Sequence, residues 1–123
     1  MNIRRAIVAA SAVGALLAPN AALADVHATI NVKHVKRDGV TKLKFSGDLH
    51  LVSGSESCTR NRKVAIQRRK NSGAPWKVLA KTSTNNKGHY AKVTGHKQGQ
   101  FRLRVPKDGT CTAATSGMIA HKH

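Results

Sequence analysis

The sequence predicts an all-β fold, an antiparallel β-sandwich of about seven short strands held by one disulfide. Three observations point there. Apolar residues recur with a period of two rather than 3.6 in segment after segment. Clusters of Gly, Pro, Asn and Asp interrupt those segments about every ten residues. The two cysteines, Cys58 and Cys111, stand in a chain whose first residues read as an export signal.

The signal comes first. Met1 to Arg5 is a basic start carrying Arg4 and Arg5, Ala6 to Ala18 is an apolar run, and Pro19-Asn20 breaks it. Ala22-Leu23-Ala24 then presents the small-x-small pattern that a signal peptidase reads, so cleavage is expected after Ala24. The run is too short to span a bilayer as a helix. Removing residues 1–24 from the 123 leaves a single domain, 25–123, of 99 residues, expected to be extracellular or associated with the cell envelope. Arg4 and Arg5 leave with the signal. The 22 Lys and Arg become 20, against 5 Asp and Glu, for a net charge of +15.

The strands follow in order. Val26, Ala28, Ile30 and Val32 alternate with His27, Thr29, Asn31 and Lys33. Leu43, Phe45, Gly47, Leu49 and Leu51 alternate with Lys42, Lys44, Ser46, Asp48 and His50, so one face lies in a core and the other in water. Asp38-Gly39 between the two patterns signals a hairpin. Shorter strands are expected over 63–69 (Val64, Ile66), 76–82 (Trp76, Val78, Ala80), 88–94, 100–105 (Phe101, Leu103, Val105) and about 112–119. The breaks between them are 71–75, 85–88, 95–99 and 106–109.

A domain of this size buries about 60–65% of its unfolded surface, so a covalent staple helps. In an exported protein an isolated cysteine pair is most simply a disulfide. Closing the Cys58–Cys111 loop is worth about 4 kcal/mol in the chain-entropy model. A metal thiolate pair or a redox couple would instead favour Cys-x-x-Cys spacing or clustered His.

The stretch from Phe45 to Ser116 resembles small secreted bacterial Ig-like or prealbumin-like domains, related in pattern to carboxypeptidase-regulatory-like modules. The matching pieces are Phe45-Ser46-Gly47, Ser53-Gly54 before Cys58, 62–66, 84–90, 99–105 and Cys111. The resemblance implies a non-catalytic extracellular module with a Cys58–Cys111 bridge, and it carries over no active site.

Composition argues against several enzyme classes. The acids are Asp25, Asp38, Asp48, Glu56 and Asp108, too few and too scattered for an evident carboxylate pair. No phosphate-binding glycine loop occurs, and Ser53-Gly54-Ser55-Glu56-Ser57 lacks the second glycine of a nucleophile elbow. No catalysis is expected. The basic excess is the strongest signal, because a field of one sign concentrates anions in a salt-dependent way. Arg60, Arg62 and Lys63 form one local cluster and Arg68, Arg69 and Lys70 another; Lys42, Lys44, Arg102 and Arg104 lie on outward strand positions. The expected partners are anionic polymers: teichoic acid, acidic polysaccharide, or nucleic acid without sequence specificity, since Lys and Arg contacts to phosphate position without specifying. A structural module without its own ligand is the bland alternative.

The histidines offer a further alternative. After cleavage at Ala24 the chain would begin Asp25-Val26-His27, whose amine, two amides and third-position imidazole supply four nitrogens suited to Cu(II) or Ni(II). This resembles the amino-terminal copper- and nickel-binding motif of several secreted proteins. The tail His121-Lys122-His123 reads as a weaker second site or a frayed end.

Overall fold

The computed structural model describes residues 25–121; the expected signal, 1–24, and residues 122–123 of the tail lie outside the described residues. The strands are β1 (Asp25–Ala28), β2 (Asn31–Arg37), β3 (Val40–Ser53), β4 (Lys63–Arg69), β5 (Lys77–Ser83), β6 (His89–Gly95), β7 (Gly99–Val105), β8 (Ala114–Thr115) and β9 (Ile119–His121). A single 3-10 turn, Glu56–Thr59, separates β3 from β4. Among the described residues no helix is long and apolar enough to cross a membrane.

Two antiparallel sheets result. In the first, β3 pairs with β1, β2 and β6. β1 and β2 share one register along it, with Ala28 opposite Leu49 and Asn31 opposite Ser46. The second runs β8-β7-β4-β5, and β9 also pairs with β7. The inward residues of β3 and β6 (Leu43, Phe45, Leu49, Tyr90) and those of β4 and β7 (Val64, Ile66, Phe101, Leu103, Val105) form one buried cluster. Phe45 and Phe101 meet at its centre with ring centroids 5.0 Å apart. Each such side chain contributes about 1.5–3 kcal/mol by leaving water.

Among the described residues nine strands stand where about seven were expected, because two segments split. The first divides at Thr29-Ile30. There Thr29 donates its N–H to the Asp48 carbonyl (3.0 Å) and its Oγ1 accepts from the Asp48 N–H (2.9 Å). Beside this kink Gly47 leaves room for the Thr29 carbonyl, which accepts from the Tyr90 hydroxyl at 2.8 Å. A Cβ on residue 47 would collide with that carbonyl. The last segment divides into β8 and β9 around Ser116, whose N–H donates to the Leu103 carbonyl while its Oγ accepts from the Leu103 N–H. The Asp38-Gly39 hairpin forms as expected, with φ of 54° and 79° and Arg37 paired to Val40.

The apolar pattern expected for β5 is corrected. The register shifts between Ile66 and Gln67, so that Ile66 faces Ala80 and Gln67 faces Val78. This bulge turns Val78 outward, 51% exposed, and packs Leu79 against the core.

Cys58 and Cys111 are bonded, with Cα atoms 5.4 Å apart. Val26, Leu51 and Ala114 pack around the bridge as a second small cluster. An Asp108–Cys111 bridge closes the turn on one side of it, with N–H to carbonyl distances of 3.0 and 2.8 Å.

Candidate functional site

The outer face of the five-stranded sheet follows from strand alternation. On β4, Val64 and Ile66 point into the core, so Lys63, Gln67 and Arg69 fall on the opposite side. On β7, Phe101, Leu103 and Val105 are buried, which sends Gln100, Arg102 and Arg104 outward. Register then sets them beside one another: Gln67 faces Arg102, Arg69 faces Gln100, and Ala65 faces both Arg104 and, on β5, Lys81.

Two guanidinium groups on this face are held in place. Arg102 donates from Nε to Gln67 Oε1 at 2.7 Å, and Arg69 from Nε to Gln100 Oε1 at 2.6 Å. Both lie over the Trp76 ring, with Cζ at 4.4 Å and 4.5 Å from its centroid. Arg104 donates to Thr115 Oγ1 at 2.7 Å. The Arg102 guanidinium has its pKa lowered by desolvation and then by repulsion from Arg104 and Arg69. Among the described residues the one ion pair made by an Arg or Lys is Arg60 with Glu56, at 3.2 Å, elsewhere on the 3-10 turn. Positive charge on this face therefore has no side-chain carboxylate to neutralise it. At the β8 end, Lys63 and Lys81 flank a shallow groove of about 450 Å³ that also includes Thr82, Ser83 and Pro106.

Apart from Arg62, the expected basic residues separate into four places. Lys63, Arg69, Arg102 and Arg104 share this face. Arg68 and Lys70 line a groove of about 460 Å³ at the end of β4, where Arg68 donates from Nε to the Gln98 carbonyl at 2.7 Å. Lys42 and Lys44 lie on β3 in the first sheet, with Lys44 opposite Lys33 of β2. Arg60 is tied to Glu56.

Arg62 corrects the sequence reading outright. It is 2% exposed and unavailable to a polymer. Its Nη atoms donate to the carbonyls of Cys58 (2.7 Å), Pro106 (2.8 Å) and Thr112 (3.1 Å), which joins both sides of the disulfide loop. Burial lowers its pKa, opposed by the charge of Asp108. Trp76, Gln67 and Gln100 were missed as members of the site. The Trp76 parity reading placed that ring with the core, and the bulge in β5 overrides it.

The expected amino-terminal metal set is seated in secondary structure. Asp25, Val26 and His27 belong to β1; Val26 is buried, His27 faces His50, and Asp25 Oδ1 accepts from Thr112 Oγ1 at 3.0 Å. In an antiparallel ladder, alternate amides point to the partner strand. Turning the amides of both Val26 and His27 toward one metal would therefore compete with this pairing. His89 Nδ1 contacts Asp48 Oδ1, and His50 Nε2 lies 3.8 Å from the other carboxylate oxygen.

A different histidine group converges. His34 of β2, His96 in the β6–β7 connection and His121 at the end of β9 place their ring nitrogens within 4.8 Å of one another. Among the described residues they are the one group of three or more His, Cys, Asp or Glu that does so. Of these, the sequence reading singled out only His121.

No protein-family model, curated protein or solved structure matches the chain.

Proposed function

We propose that the chain is a secreted, non-catalytic β-sandwich module of the Ig-like or prealbumin-like kind that binds anionic polymers through the outer face of its five-stranded sheet. The observation that carries this reading is the pair Arg69 and Arg102, stacked on Trp76 and steadied by Gln100 and Gln67. A guanidinium held over an indole is partly desolvated, and its rotamers are already restricted. An incoming phosphate or carboxylate then forms charge-assisted hydrogen bonds at small ordering cost. Arg104, Lys63 and Lys81 extend the same face, giving an elongated rather than pocketed surface, which suits a chain of repeated charges. Teichoic acid, acidic polysaccharide and a nucleic acid backbone share that chemistry.

The test is binding to duplex DNA and to a carboxylated polysaccharide over a range of salt. Counterion release gives a log–log slope of about −0.9 per phosphate contact on duplex DNA. The combined variant Arg69→Gln, Arg102→Gln, Arg104→Gln should flatten that slope by about 2–3, while Lys42→Gln with Lys44→Gln on the other sheet should change it less. Equal losses from both sheets would place the contact in the diffuse field of the whole protein. Absence of binding to either polymer at physiological salt would leave the structural-module reading.

A further inference from the structure

We propose that His34, His96 and His121 form a binding site for a divalent transition-metal ion of the zinc class, ligated through Nε2. The site is separate from the arginine face and from the amino-terminal residues. His34 Nε2 lies 2.9 Å from His96 Nε2, and His121 Nε2 lies 3.1 Å from His34 Nε2. The His34 and His96 rings stack with centroids 4.9 Å apart, and His121 meets both at steeper angles.

The two Nε2–Nε2 contacts of His34 do not by themselves account for this convergence. A ring nitrogen carries one hydrogen or one lone pair in its plane, so His34 Nε2 cannot satisfy two neighbouring Nε2 atoms at once. A metal ion resolves this, because each neutral imidazole then directs its lone pair at one centre. For Zn–N bonds of about 2.0–2.1 Å in tetrahedral geometry, ligand nitrogens stand about 3.3 Å apart. The two separations from His34 need to open by only a few tenths of an ångström, the His96 and His121 nitrogens, within 4.8 Å of each other, need to draw to the same spacing, and His34 is exposed enough to move. All-imidazole ligation favours Zn(II), Cu(II) and Ni(II) over Mg(II) or Ca(II).

The three ligands come from elements far apart in sequence, and β9 is only three residues long. Binding would therefore clamp the last described strand, held on β7, to β2 of the other sheet. Three protein ligands leave a fourth position for water or an exogenous group. His121 also borders the groove that holds Arg68 and Lys70, so an anionic fourth ligand suits the local charge.

Calorimetric titration of the signal-free protein with Zn(II) alone tests the site, with Co(II) absorption as a report of tetrahedral geometry. Wild type should bind one equivalent, and the Co(II) spectrum should collapse on adding Zn(II). His34→Gln and His96→Gln should each weaken Zn(II) binding about tenfold or more, with unchanged circular dichroism. His27→Ala and the pair His50→Gln with His89→Gln should bind as wild type does. Undiminished binding in both His34→Gln and His96→Gln would overturn the assignment, as would loss of binding in His27→Ala or no uptake of Zn(II) at all. No polymer enters the measurement, so its outcome is independent of the polyanion reading.

Discussion

Replacing Arg62 with Ala removes a buried cation that holds three backbone carbonyls on both sides of the disulfide loop. A hydrogen bond to a charged group contributes about 1.5–3 kcal/mol, and a buried polar group left without a partner adds its own penalty. The three terms do not add in full, because the Pro106 and Thr112 contacts are only part-buried and water can reach those carbonyls. Relief of the desolvated charge also offsets some of the loss. The net cost should be about 3–5 kcal/mol, against a total stability of about 5–15 for a domain. At about 4–8 °C per kcal/mol for a chain of this length, the thermal midpoint should fall by at least about 12 °C. Arg60→Ala, two residues away and exposed, should stay within about 0.5 kcal/mol of wild type. Urea unfolding of the oxidised proteins, compared at constant m, measures both. Equal midpoints for the Arg60 and Arg62 variants would refute the argument that burial and carbonyl capping, not charge, define the role of Arg62.

The remaining predictions concern the staple, the kink and the indole. Replacing Cys58 and Cys111 together with Ser should cost about 2–5 kcal/mol, and the unreduced wild type should show no reactive thiol in denaturant. Tyr90→Phe should cost about 1 kcal/mol by leaving the Thr29 carbonyl short of a donor, with the fold retained. Gly47→Ala should cost more, since its Cβ meets rigid backbone at the kink; a smaller loss than in Tyr90→Phe would contradict that packing account. Trp76→Ala removes two cation–π contacts that order Arg69 and Arg102 rather than touch the polymer, so binding should weaken about 2- to 5-fold and the salt slope stay intact because no charge is lost. A flattened slope in Trp76→Ala would mean that the ring does more than steady Arg69 and Arg102.

The fold class was legible in the sequence because strand alternation and turn chemistry are local. Leu43, Phe45 and Leu49 on alternate positions of β3 and Phe101, Leu103 and Val105 on alternate positions of β7 commit each strand to a buried face, and Asp38-Gly39 closes its hairpin within two residues. The bond between Cys58 and Cys111 was the simplest reading of an isolated pair behind an export signal, with a metal thiolate pair or a redox couple as the alternatives, and the two residues are bonded. Tertiary structure alone decided what each basic or imidazole side chain does. Arg60, Arg62 and Lys63 are near neighbours in sequence, yet one meets Glu56, one fills the space under the disulfide loop and one faces the groove beside Lys81. A bulge after Ile66 moved Val78 outward, and parity could not foresee a change in its own register. His34 meets His96 across 62 residues because β2 and β6 flank β3 in one sheet, and meets His121 across 87 because the other sheet docks on the first, so no local pattern could bring these side chains together. Local preference selects the face of a strand; which residues share a site depends on contacts formed after the strands have assembled.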